Sequence, residues 1–161
     1  MKSIVKFRLV LVALLLATFV NAFAQLSSDV ETAMSQIVAK YDGQKGISCM
    51  TVAKGSGLEM MKIMFNQEFG KEFMKGVTSI TLIDYSNASE ETCMTLRKDL
   101  DAFLPLLQEF DLRKEKQFSD NDYIRCFASQ AESGTLSDFV IALENEKSKM
   151  VMYMAGNINV K

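Results

Sequence analysis

Three apolar segments near the C-terminus restrict the fold more than any other feature. They cover about 123–130, 135–143 and 149–156, and Ser133-Gly134 and Glu144 to Ser148 supply the turns between them. Met150, Met152 and Met154 alternate along the last segment, so they share one face of a strand. Strands joined by turns this short pair antiparallel, because a parallel pair needs a crossover of a dozen or more residues. The chain must therefore end in an antiparallel meander, and whatever precedes it has to pack on that sheet.

Helical patterns come earlier. Ser28-Asp29-Val30-Glu31 matches a capping box, and Val30, Met34, Ile37 and Tyr41 follow at helical spacing until Gly43 and Gly46. Ile47 to Ala53 reads as a short strand between glycines. Gly55-Ser56-Gly57 turns the chain into a second helix running to about Lys75, and Val77 to Tyr85 is a β-branched second strand. A third helix opens near Asn87 or Ser89, with Glu90 and Glu91 where the helix dipole favours acids. Cys93, Leu96, Leu100, Phe103 and Leu107 line one face of it, and Pro105 predicts a kink or restart. The order is α-β-α-β-α-β-β-β, an α+β pattern. It predicts a single mixed or antiparallel sheet with helices packed mainly on one face. A right-handed crossover is expected for the β-α-β unit.

The N-terminus has the layout of a secretory signal. Lys2, Lys6 and Arg8 precede an apolar run from Leu9 to Val20, and Ala22-Phe23-Ala24 fits the small-residue cleavage site. The run falls short of the roughly 20 residues that a membrane span needs. Residues 1–24 are thus expected to be a cleaved signal peptide, with cleavage after Ala24. Residues 25–161 are expected to form one α+β domain, periplasmic or extracellular, with no membrane span after cleavage. Losing three of the 18 basic residues with the signal leaves 15 against 20 acidic ones, a net charge of −5. A mildly acidic domain with scattered basic residues is not expected to bind nucleic acid.

The 161 residues contain no His. That excludes a His-activated Ser or Cys, a His-ligated haem and a HExxH zinc site within this chain. Lys54-Gly55-Ser56-Gly57 matches neither phosphate-loop pattern and reads as a turn. Asp120-Asn121-Asp122 lacks the Gly and terminal Glu of a calcium loop. Asp99 and Asp101 are two apart on a helix and do not face each other. Cys49, Cys93 and Cys126 leave one disulfide plus a free thiol open to an exported chain, but apolar periodic positions favour three buried thiols. A thioether copper site is the sharp reading of the methionines, and core filling is the plain one. No catalytic residue, cofactor or metal site is assigned.

The second helix is apolar on two sides. Leu58, Met61, Phe65, Phe69 and Phe73 form one stripe, and Met60, Ile63, Met64 and Met74 form a second. A surface helix normally carries one stripe. The second is expected to be covered by the first helix, or else to serve as an interaction surface.

The chain from 26 to 160 resembles the uncharacterised exported Bacteroidetes family called domain of unknown function 4252. The resemblance rests on the leader, the opening helix ending near Lys40-Tyr41, the Gly46 to Val52 strand and Ile80-Thr81-Leu82-Ile83. It continues through Phe139-Val140-Ile141-Ala142-Leu143 and the closing Met152 to Val160 segment, with its Gly156-x-Ile158-x-Val160 pattern. It implies a small exported domain and no assigned chemistry. The expected function is a non-catalytic interaction module binding an unknown protein partner or a second copy. The alternative is a carrier of a small apolar molecule in a Phe/Met-lined cavity, and an enzyme is the weakest reading.

Overall fold

The computed structural model describes residues 29–69, 72–110, 123–130 and 135–159. Along the chain, helix α1 (29–41) precedes β1 (Ser48–Val52), α2 (Ser56–Phe69), β2 (Gly76–Asp84) and α3 (Glu90–Phe103). A 3-10 turn (Leu104–Leu106), β3 (Gln108–Phe110), β4 (Tyr123–Gln130), β5 (Thr135–Glu144) and β6 (Lys149–Asn159) follow. The fold is α+β. The expected elements are all present in the expected order, and the short β3 is an addition.

The six described strands form one antiparallel sheet in the order β1-β2-β6-β5-β4-β3. The C-terminal strands form the expected antiparallel meander, and the Ser133-Gly134 turn lies outside the described residues. Asn145 closes the β5–β6 turn, its Oδ1 accepting from the amides of Lys147 (3.0 Å) and Ser148 (2.7 Å). β6 then pairs with β2, which joins the meander to the first half of the chain.

Side-chain alternation divides the core into two layers. One face of the sheet carries Ile83, Phe127, Val140, Val151 and Tyr153 under α1 and α3. The opposite face carries Val77, Ile80, Cys126, Phe139 and Met154 under α2 and the 72–75 turn. Among the described residues, two helices thus share the first face, and α2 with the 72–75 turn covers the second. The expected cover of α2 by the first helix is overturned, because α1 lies across the sheet from it.

Two other expectations are corrected. β1 and β2 are antiparallel neighbours, so α2 makes no parallel crossover. The register Val52↔Ile80 places the end of β1 beside the start of β2, so the chain leaves and returns at the same end of the sheet. α2 also stops at Phe69 rather than near Lys75.

Local chemistry explains the element ends. Ser89 caps α3, its Oγ accepting from the Thr92 amide at 3.2 Å. Pro105 sits in the first turn of the 3-10 segment, where its missing amide costs no helical bond. Gly46 has φ +81, and a β-carbon there would collide with the Asn87 carbonyl oxygen. Glycine is required at that contact both by its dihedral and by the close approach of the two backbones.

Candidate functional site

α2 presents Leu58, Met61 and Phe65 to the sheet. One turn of helix is 3.6 residues, so Met60, Ile63 and Met64 fall on the other side. They are 65%, 59% and 62% exposed. Met74, assigned to the same stripe from sequence, lies in the turn after the helix and is fully buried in the second-face core. Its amide donates to Asn66 Oδ1 at 2.9 Å, which ties the turn to one flank of α2. The structure therefore brings three of the four residues together and places the fourth elsewhere.

The sheet beneath is only partly covered by α2. Across adjacent strands, Met50, Leu82, Met152, Ile141 and Cys126 stand in register on the second face. Cys126 is buried; Leu82, Met152 and Ile141 are half-buried, and Met50 on the edge strand is 46% exposed. Leu143 and Met150 pair in the next row and are also half-buried. Exposed and half-exposed apolar side chains thus extend from α2 over the sheet to its β1 edge.

The first face holds the polar chemistry. Glu144 Oε1 accepts from Tyr85 OH at 2.6 Å and Arg97 Nε at 2.7 Å, and its Oε2 accepts from the Arg97 guanidinium at 2.9 Å. Burial alone would raise the Glu144 carboxyl, but the bonds from Arg97 and Tyr85 outweigh it and hold the group below its usual range. Asp99 is also held low, by Lys40 first and then Tyr41, whose hydroxyl donates to Oδ2 at 2.7 Å. That carboxylate bridges α1 to α3. Arg125 meets Asp101 at 3.3 Å and Glu109 at 3.2 Å, and its guanidinium lies over the Phe127 ring.

Asp138 is unusual. It is buried at φ +51, where the β5 register shifts against both neighbours. Tyr153 OH donates to its Oδ1 at 2.8 Å, and its Oδ2 has no hydrogen-bond partner among the described residues. Ser129 Oγ, buried on β4, has none among them either. A mid-strand Asp between Ser137 and Phe139 was the sequence signal for this bulge, since Asp tolerates the left-handed region better than most residues. The Glu144 hub had no such signal, because its partners come from elements far apart in the chain.

These groups are arranged for cohesion. Burial, followed by the paired carboxylates, pushes the Tyr85 and Tyr153 phenols far above their usual value. Among the described residues no three Cys, Asp or Glu converge on a metal-sized site. Among the described residues no disulfide joins the three cysteines; Cys93 and Cys126 are buried, whereas Cys49 is half-buried, a correction to the expectation for all three. Burial and then Asp42 raise the Cys49 thiol, which disfavours the reactive thiolate. No described helix is long and apolar enough to cross a membrane. Asp120-Asn121-Asp122 and the predicted cleavage site lie outside the described residues.

Among the described residues, two clefts on the first face stand out. One of about 230 Å³ lies between α1 and the sheet, over Thr51, Ser79, Thr81 and Tyr153. The other, about 150 Å³, is bounded by Arg97, Arg125 and Glu144. In comparisons with known proteins, the chain matches no family model, no curated protein and no solved structure.

Proposed function

We propose that this protein is an exported, non-catalytic interaction module, periplasmic or surface-associated, that binds another protein through its second face. The exposure of Met60, Ile63 and Met64 on one side of α2 carries this reading. Water-exposed apolar side chains are normal when scattered, but a contiguous group is a mark of association. The resemblance to the uncharacterised exported family assigns no chemistry and is consistent with such a role.

The carrier reading is less well supported. Pockets for drug-sized molecules occupy about 300–1,000 Å³. The two first-face clefts found among the described residues are smaller, and their lining mixes apolar side chains such as Met34, Val38, Leu100 and Leu104 with hydroxyls and charges but includes no Phe.

The test is site-specific photo-crosslinking in the exporting cell. A photoreactive residue at Ile63 is expected to give protein adducts, and one at exposed Glu91 on α3 is not. Equal labelling from both positions, or none from Ile63, would remove the interaction reading.

A further inference from the structure

Core filling accounts for only some of the methionines. Met34, Met74 and Met154 are at most 1% exposed, whereas Met60 and Met64 are 65% and 62% exposed. These two are four residues apart on α2, so they are neighbours on its outward face, with Ile63 beside them. Two of the three side chains that make this face apolar are therefore thioethers, the one apolar side-chain type that a mild oxidant converts into a polar one.

The thiols of the molecule compete poorly for such an oxidant. Thiol oxidation follows thiolate character and exposure. Cys93 and Cys126 are buried, and Cys49 is half-buried, its thiol raised by burial and then by Asp42.

We infer that Met60 and Met64 are modification sites, oxidised to sulfoxides by peroxide, and that this oxidation switches off association through the second face. The inference rests on reading that face as a protein-binding surface and adds its regulation. In the reaction the sulfur lone pair attacks one oxygen of hydrogen peroxide. The O–O bond breaks, a sulfur–oxygen bond forms, and the second oxygen leaves as water. Sulfur loses two electrons and the peroxide gains them. A methionine sulfoxide reductase reverses the change, the oxygen leaving as water while two thiols become a disulfide. The fold is untouched, because both side chains already stand in water. Binding is not, because a sulfoxide buried against an apolar partner loses its hydration without a hydrogen bond in return.

The experiment uses the protein purified from the exporting cell, with the photoreactive residue at Ile63, which the oxidant does not alter. After timed exposure to hydrogen peroxide, peptide mass spectrometry is expected to find sulfoxide at Met60 and Met64 forming about tenfold or more faster than at buried Met74. The circular dichroism spectrum should not change. The oxidant is then removed and the protein is returned to the exported fraction of untreated cells and irradiated. Oxidised protein is expected to give several-fold fewer Ile63 adducts than unoxidised protein. Met60→Leu/Met64→Leu, given the same peroxide, should keep its adducts. Met94→Leu, which removes an equally exposed methionine from α3, should lose them as the wild type does. Equal oxidation of Met64 and Met74 would overturn the inference. So would adducts that survive complete oxidation of Met60 and Met64, or a loss that persists in the Leu variant. Those results leave the binding surface standing, whereas absence of adducts from unoxidised protein would sink the broader reading and this one with it.

Discussion

At the residue scale, backbone geometry separates glycines that look alike in sequence. Gly43 and Gly46 both read as helix stops, and both have positive φ. A β-carbon at Gly43 would meet nothing, whereas at Gly46 it would strike the Asn87 backbone. Gly43→Ala is expected to cost about 1–2 kcal/mol from the dihedral alone. Gly46→Ala is expected to cost more, at least about 2–3 kcal/mol, because the loop before α3 must also move. Urea denaturation of the two variants checks the order. Asp138 and Tyr153 offer a second residue-scale prediction. Tyr153→Phe removes the hydrogen-bond partner of a buried carboxylate and should cost about 1–3 kcal/mol. In an Asp138→Asn background the same change should cost less, since no charge is then stranded. A double-mutant cycle showing no coupling would contradict this account.

At the element scale, periodicity made the strands and the α3 stripe legible. Cys93, Leu96, Leu100 and Phe103 are buried along α3, as their spacing requires, whereas Leu107 is buried from beyond the 3-10 turn rather than from the helix. α2 was legible as a helix but not in its extent or its cover. Phe73 and Met74 continued the apolar pattern past Phe69, although they pack from a turn rather than from a helix. Nor does a one-dimensional pattern reveal on which side of a sheet a helix will lie. The consequence is a sharp contrast between two methionines of one apparent stripe. Met64→Lys should change stability by no more than about 0.5 kcal/mol, as at other exposed sites. Met74→Lys places an unpaired charge in the second-face core and should cost more than about 4 kcal/mol. Thermal melts of the two variants distinguish them, and a mild effect at Met74 would contradict its burial.

At the scale of the whole molecule, two carboxylates connect elements that the chain does not place side by side. Asp99 ties α1 to α3, and Glu144 ties α3 and the Tyr85 segment to the β5–β6 hairpin. This wiring was not legible in the sequence, because ion-pair geometry depends on tertiary placement and leaves no periodic trace. It determines how the fold responds to acid. Both groups are held below their ordinary values in the folded state. Unfolded Asp and Glu titrate near 3.9 and 4.3. A lowered native value means that the unfolded chain takes up protons first as pH falls. The contribution to stability is therefore fully present above the unfolded values and is lost as pH drops through the native ones. Urea midpoints should stay level from neutral pH to about pH 5 and then decline. Glu144→Gln should lose about 1–3 kcal/mol at neutral pH, because a neutral amide cannot reproduce the charged pairing with Arg97. The gap between wild type and variant should narrow as pH falls through the lowered native value of Glu144, where the wild-type carboxyl is itself protonated. A gap that stayed constant across this range would show that Glu144 acts through packing rather than through its charge.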